Sequence, residues 1–394
     1  PDSVLIGNFG YQDAVLTFQD HDDIRELIAS SFDIDGKSDQ SAYSGELEYF
    51  FRSEYLNLAG GIGYFYVDTE ERKTSVQIKL HISLPTPVGP AAQDLLFEDK
   101  FEIVEKDRDH TNLYLYSYLN LLENVTLTLG ASGEFLNSSS QKDKDKTQFN
   151  PKFGITWNPV PDTTLRGAAF RVLKRTLVTN QTLEPTQVAG FNQFYDDSVP
   201  ATDAWNYGAA IDQKFSRSLY GGAEYVYRDL KVPYMVGTVA GDFESAEAEW
   251  EEKRSRAYLF WTPHEWFSLT AEWLWERFDT DEFSVGVKDV ETNSLPLGVN
   301  FFHPSGFYAA LKGTYVNQKG SFDRKMDGII EDGQDNFWLI DASIGYRLPM
   351  RYGIITIGMK NLFDEEFQYF DIDPENPRIQ PGRFFFTRLT LAFQ

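Results

Sequence analysis

The feature that most restricts this chain is a period of two that runs along almost its whole length. Ile340, Ala342, Ile344 and Tyr346 alternate with Asp341, Ser343, Gly345 and Arg347. Val125, Leu127, Leu129 and Ala131 alternate with Thr126, Thr128, Gly130 and Ser132, and Leu297, Val299 and Phe301 with Gly298 and Asn300. Phe267, Leu269, Ala271, Trp273 and Trp275 alternate with Ser268, Thr270, Glu272 and Glu276, with Leu274 the one exception. Such alternation gives a strand one apolar and one polar face. About 16 segments of roughly 9–13 residues show it, the length of a tilted membrane strand. They centre near Gly7, Tyr49, Gly61, Leu115, Leu129, Phe153, Ala168, Ala209, Ala223, Tyr258, Ala271, Leu297, Leu311, Ile344, Ile357 and Leu389. The first reads as one long strand or as a hairpin over Val4 to Phe18, and Tyr114, Tyr116 and Tyr118 leave the facing of the fourth open.

The connections alternate short and long. Short ones fall at Arg52-Ser53-Glu54, Leu121 to Asn124, Asn158 to Asp162, Ser216-Arg217-Ser218, Thr262 to Glu265, His303 to Gly306 and Pro349-Met350-Arg351. Long polar links fall at Asp22–Gln40, Glu70–Asp109, Lys174–Asp203, Leu230–Glu249, Asp279–Asn293, Lys319–Asp335 and Asp364–Arg383. Short turns on one side and long loops on the other are the pattern of an outer-membrane barrel, periplasmic side and extracellular side respectively. An even strand number then puts both termini in the periplasm. The expected fold class is all-β: a transmembrane antiparallel up-and-down β-barrel, one domain over 1–394, the C-terminal part of a longer precursor.

Composition enters at two points. A mean hydropathy of −0.40 is what alternation produces, because lumen-facing polar residues dilute the lipid-facing ones. No run approaches the ~20 apolar residues of a spanning helix, so a membrane crossing requires a barrel. The first residues, Pro1-Asp2-Ser3-Val4, have none of the regions of a signal peptide, so the expectation is a removed leader and a periplasmic segment ahead of Pro1. A net charge of −24 argues against nucleic acid as a partner. The expected partners are outer-membrane lipid and lipopolysaccharide, the barrel-assembly machinery, and periplasmic or cell-envelope proteins. The absence of cysteine fits an oxidising compartment without disulfides.

Particular residues resemble a known group. Pro381-Gly382-Arg383-Phe384-Phe385-Phe386-Thr387-Arg388-Leu389-Thr390-Leu391-Ala392-Phe393 resembles the closing strand of TonB-dependent receptors, and Gly358-Met359-Lys360-Asn361-Leu362-Phe363-Asp364-Glu365-Glu366-Phe367 their penultimate strand. Phe149 to Pro159, Thr164 to Phe170 and Thr182-Leu183-Glu184-Pro185 follow the order seen in the middle of such barrels. The resemblance implies an outer-membrane barrel. It also exposes departures: that family carries a plug and a TonB box ahead of about 22 strands. Here no plug precedes the first strand, and the chain ends on Gln394 with the aromatic at Phe393. A 16-strand layout also resembles the secretion porins that export exopolysaccharide behind a periplasmic tetratricopeptide domain.

Alternation assigns faces. The expected pore-lining acids are Glu46, Glu48, Glu134, Asp212, Glu224, Glu272, Glu276 and Asp341. The expected pore-lining bases are Lys152, Arg166, Lys214, Arg228, Arg254, Arg256, Lys312, Arg347, Lys360 and Arg388. The bases of the last strands face Glu46 and Glu48 across the expected seam, an arrangement that sets up a transverse field; the competing reading is that these charges pair and keep the lumen wet. The Lys174–Asp203 link carries Phe191, Phe194 and Tyr195 and is long enough to fold inward as a constriction. Tyr43, Tyr64, Tyr66, Trp157, Trp205, Tyr227, Trp261, Trp273, Trp275, Trp338 and Tyr346 are expected at the aromatic girdles.

The five histidines, His21, His81, His110, His264 and His303, show no metal-ligand spacing, and no phosphate loop or nucleophile elbow is present. Asp33-Ile34-Asp35-Gly36 and Asp371-Ile372-Asp373 read as solvated carboxylates rather than calcium loops. No cofactor, metal or catalytic residue is expected. The functional expectation is an outer-membrane channel for solutes. The alternatives are an export porin for a polymer and a non-conducting structural or adhesion barrel.

Overall fold

A computed structural model describes residues 2–24, 29–86, 89–100, 104–138, 145–175, 177–178, 181–237, 243–281, 286–322, 330–370 and 382–392. Among these residues nineteen strands follow in order: β1 Ser3–Ile24, β2 Ala29–Arg52, β3 Leu56–Thr86, β4 Gly89–Lys100, β5 Val104–Leu122, β6 Val125–Ser138, β7 Lys146–Val160, β8 Thr163–Leu173, β9 Gln187–Val188 and β10 Phe191–Asn192. Then come β11 Asp203–Lys214, β12 Leu219–Gly237, β13 Phe243–His264, β14 Phe267–Thr280, β15 Val287–Phe302, β16 Phe307–Phe322, β17 Glu331–Arg347, β18 Gly353–Lys360 and β19 Phe384–Leu391. No described helix is long and apolar enough to cross a membrane.

Among the described residues, seventeen of these strands form one antiparallel sheet, sixteen in up-and-down order and β4 paired to β3 alone. Each pairs with the next in sequence, except that β3 pairs with both β4 and β5 and β8 pairs with β11. The ladder ends at β1 and β19, each of which has a register with one neighbour among the described residues. All sixteen expected strand centres lie inside their own strand. The first segment is one strand rather than a hairpin: Ser3 opposes Phe51 and the pairing continues to Ile24 opposite Ser30.

The seven short turns stand where alternation places them. His303 closes one of them: its backbone N–H donates to Phe307 O at 2.7 Å and its ring sits 2.7 Å from Ser305 Oγ. The other side departs from expectation. Much of three long links is ladder, not loop. The β12–β13 pairing continues to Gly237 opposite Phe243, and β3 turns back on itself through β4, from Thr86 opposite Gly89 to Ser75 opposite Lys100. A ladder needs backbone pairing, not an apolar face, so hairpins continue past the bilayer where both faces are wet. Asp33 and Asp35 lie in β2, opposite His21 and Gln19, while Asp371–Asp373 lie outside the described residues.

The two faces differ as alternation requires. Leu47, Tyr49, Leu113, Leu115, Phe149, Phe153, Ile155, Ile344 and Ile357 are exposed on one face. Their strand neighbours Glu46, Glu48, Asn112, Tyr114, Asn150 and Lys152 are buried on the other. Tyr114 and Tyr116 therefore face inward, which settles the fourth strand. An exposed apolar face of this extent requires a hydrocarbon surround, and a barrel wall is the sheet that meets this need. Aromatic rings meet on the outer face: across strands Tyr43 stacks on Tyr66 with centroids 4.9 Å apart and Tyr207 lies 6.1 Å from Tyr227, and along β11 Tyr207 lies 6.1 Å from Trp205.

Candidate functional site

The link between β8 and β11 folds back over the inner face. Its ends are adjacent, since Leu173 opposes Asp203 and the Lys174 N–H donates to Thr202 O at 2.8 Å. The chain between them forms a small hairpin of β9 and β10, turned by Ala189 and Gly190, both at positive φ (47° and 84°). Two positive φ values in a two-residue turn are why glycine is favoured here. Val188, Phe191 and Tyr195 are buried against Ala59, Tyr114, Tyr116, Phe170 and Val172 of β3, β5 and β8. The fit is close: a Cβ on Gly154 of β7 would lie 2.8 Å from the Ala189 Cβ, and one on Gly208 of β11 would enter the Phe191 ring.

Buried charge fixes the other end of this segment. Arg175 is wholly buried, with Nη2 3.0 Å from Glu184 and Nη1 3.4 Å from Glu134. Its guanidinium also lies 4.3 Å from the Tyr195 ring centroid and 5.3 Å from that of Phe65. Glu184 further accepts from Tyr116 Oη at 2.8 Å and Asn112 Nδ2 at 2.9 Å. Glu134 is 2.7 Å from His110 Nε2 and accepts from Ser132 Oγ at 2.9 Å. Glu46 accepts from Thr182 Oγ1 at 2.6 Å and from the Leu183 N–H at 3.0 and 3.1 Å. A charge withdrawn from water must be paired or hydrogen-bonded: Arg175, Glu134 and Glu184 are both, and Glu46 is held by hydrogen bonds.

A second set of ions holds the far side. Lys174 Nζ, buried, lies 2.5 Å from Asp197, which also pairs with Arg228 at 2.8 Å. Burial raises the Asp197 carboxyl, but Lys174 and Arg228 outweigh that and hold it below the ordinary range. Burial pushes the Lys174 ammonium down to about 8, and the nearby Arg228 adds to this.

Fifteen of the eighteen expected pore-lining residues fall into three groups on the inner wall. Glu46, Glu48, Glu134 and Lys152 lie beneath the segment, with Lys152 donating to Arg171 O at 2.6 Å. The carboxylates of Glu46 and Glu134 are thus already engaged by the segment, Glu134 through the Arg175 cation. Arg166, Asp212 and Glu224, with Arg228, Arg254, Arg256 and Glu272, surround a cavity of about 600 Å³ between the segment and β8–β14. Glu276, Lys312, Asp341 and Lys360 line a smaller cavity of about 120 Å³ against β14–β18. Leu274, the break in alternation, lies on the polar face between the two cavities and lines both. Lys214, Arg347 and Arg388 are exposed near strand ends and join no ion pair among the described residues.

The link after β18 also approaches the wall. Asn361, at positive φ, turns it: its Oδ1 accepts from the Glu365 N–H at 2.8 Å and its Nδ2 donates to Glu365 O at 3.0 Å. Phe367 stacks on Phe337 with centroids 4.2 Å apart, and Gln318 of β16 donates to Phe370 O and accepts from its N–H, at 2.9 and 2.8 Å. Alternation could not show these groups, because Arg175, Glu184 and Asp197 lie in a link without period. The one available signal was aromatic: Phe367, Tyr369 and Phe370, like Phe191 and Tyr195, are apolar rings in an otherwise polar stretch.

No protein-family model and no curated protein matches the sequence. Solved structures do match. The ferripyoverdine receptor of the outer membrane of Pseudomonas aeruginosa aligns with a TM-score of 0.61 and 11% identity, over 92% of this chain and 50% of that one. The copper transporter OprC aligns at 0.60 and 10%, over 99% and 66%. BauA, the ferric preacinetobactin receptor from Acinetobacter baumannii, aligns at 0.57 and 10%, over 98% and 60%. The chain spans about half the length of the first receptor it matches. The fold is therefore that of the β-barrels of TonB-dependent outer-membrane receptors and transporters.

Proposed function

We propose that this chain is a transport barrel whose solute route runs along the inner wall, narrowed by the 174–203 segment. The carrying observation is the segment itself, seated by the buried Arg175–Glu134–Glu184 ions over strands β2 to β12. A segment that only capped a loop would not need charges drawn out of water to hold it. The charged residues around the two cavities support the same reading, since walls of fixed charge select solutes in channels. The likeness to receptor and transporter barrels agrees with it. On this reading fifteen of the eighteen expected residues line the route, those beneath the segment acting through it, while Lys214, Arg347 and Arg388 stand outside it near strand ends, and the 1–394 chain works as one barrel domain. Lipid and lipopolysaccharide surround it, and the barrel-assembly machinery inserts it.

The test is single-channel recording in planar bilayers. Purified protein should give discrete conductance steps. Protein that inserts and stays folded without conducting would favour the adhesion reading instead.

A further inference from the structure

The larger cavity has an uneven distribution of bonds. Arg166 Nε donates to Asp212 at 2.8 Å and its Nη2 reaches Glu224 at 3.4 Å. Arg256 donates twice to one oxygen of Glu272, at 2.9 and 2.7 Å. Tyr258 donates its hydroxyl to Asp212 at 2.5 Å. Arg228 is held between Asp197 and Glu252. Arg254 differs from all of these. Its nearest carboxylate is Glu224 at 3.9 Å, beyond hydrogen-bond reach, and Glu224 is already shared with Arg166. Its ladder partner Glu276 lies toward the second cavity, past Leu274. The Arg254 side chain is 35% exposed, and the space it borders is the cavity.

We infer that this cavity binds a small carboxylated polyol of the sugar-acid class, with its carboxylate on Arg254. A guanidinium has five donors in a planar fork that matches a carboxylate, and Arg254 donates no hydrogen bond to any described residue. The remaining wall alternates guanidinium and carboxylate. A hydroxyl both donates and accepts, so a polyol can bond the remaining N–H groups and lone pairs of such a wall, while an apolar solute would displace water from them and put nothing in its place. Leu274 supplies one apolar surface for the C–H face of a ring. The volume of about 600 Å³ lies within the range of about 300–1,000 Å³ that holds small organic ligands.

This inference rests on the transport reading, and the experiment separates the two. Calorimetry of the full chain in detergent is run with D-glucuronate and with D-glucose, and conductance is recorded on the same preparation. Glucuronate should bind at least tenfold more tightly than glucose. Arg254→Gln should weaken glucuronate at least tenfold and leave glucose unchanged, with Arg254→Lys intermediate. Lys214→Gln, an exposed base away from the cavity, should change neither. Glucuronate binding no tighter than glucose, or insensitive to Arg254→Gln, overturns the site even if the channel conducts. Binding as expected in a protein that does not conduct upholds the site and overturns the transport reading. Circular dichroism of each variant guards against loss of fold.

Discussion

Arg175→Met tests whether buried charge holds the segment against the wall. The substitution keeps an unbranched chain but removes the cation that bridges Glu134 and Glu184. Breaking a buried pair by removing one partner costs about 3–5 kcal/mol. The lower end applies here, because Glu134 keeps His110 and Ser132 and Glu184 keeps Tyr116 and Asn112. At about 1.4 kcal/mol per factor of ten, 3 kcal/mol is roughly a hundredfold shift from docked to released segment. The β-ladder itself loses nothing. Chymotrypsin reads this shift: its targets Phe191 and Tyr195 are buried while the segment is docked. Cleavage follows the population of the open form when reclosing is fast. The rate at these two sites should rise about a hundredfold, with the circular dichroism of the barrel unchanged. Arg175→Met combined with Glu134→Gln and Glu184→Gln should recover part of the protection, because no unpaired charge is then left buried. A cleavage rate within threefold of wild type in Arg175→Met would refute the argument.

Other consequences follow from the same contacts. Gly208→Val places carbon where the Phe191 ring lies, so chymotrypsin cleavage at Phe191 should accelerate at least tenfold without loss of the barrel signal. Acid should release the segment: the Asp197 carboxyl is held low when docked, so its contribution is complete above the ordinary carboxylate value and is lost as pH falls through the depressed one. The groups facing it are Lys174 and Arg228, with Glu252 beyond. Conductance that stays constant down to about pH 4 and rises below it is the expected record, and Asp197→Asn should remove the rise. Gln318→Ala removes both bonds to the Phe370 backbone and should raise hydrogen exchange at the Phe370 amide at least tenfold, leaving the β8–β11 segment unaffected.

The barrel wall was legible in the sequence because its physical requirement is repeated at every second residue. Ile344 and Ile357 need lipid and Asp341 and Lys360 need water, so strand positions and facings follow from the same rule. Leu274 breaks that rule where two cavities meet, so the exception was itself informative. The site was only partly legible. That the 174–203 link folds inward could be anticipated from Phe191 and Tyr195, whose burial has no other explanation in a polar link. The partners of Arg175 could not, since Glu134 and Glu184 come from elements brought together only by the docked chain. The strands run longer than the alternating segments for a related reason. Polar residues near Gly237 and Phe243 mark the end of the lipid face, not the end of the backbone ladder.

Deletion of Thr179–Asp197 tests the central claim most directly. Leu173 and Asp203 are ladder partners, so a short glycine-rich turn can rejoin the ends without disturbing β8 or β11. In planar bilayers the deletion should raise single-channel conductance several-fold above wild type. A deletion variant that inserts, stays folded and conducts as wild type does would contradict the claim that this segment narrows the route.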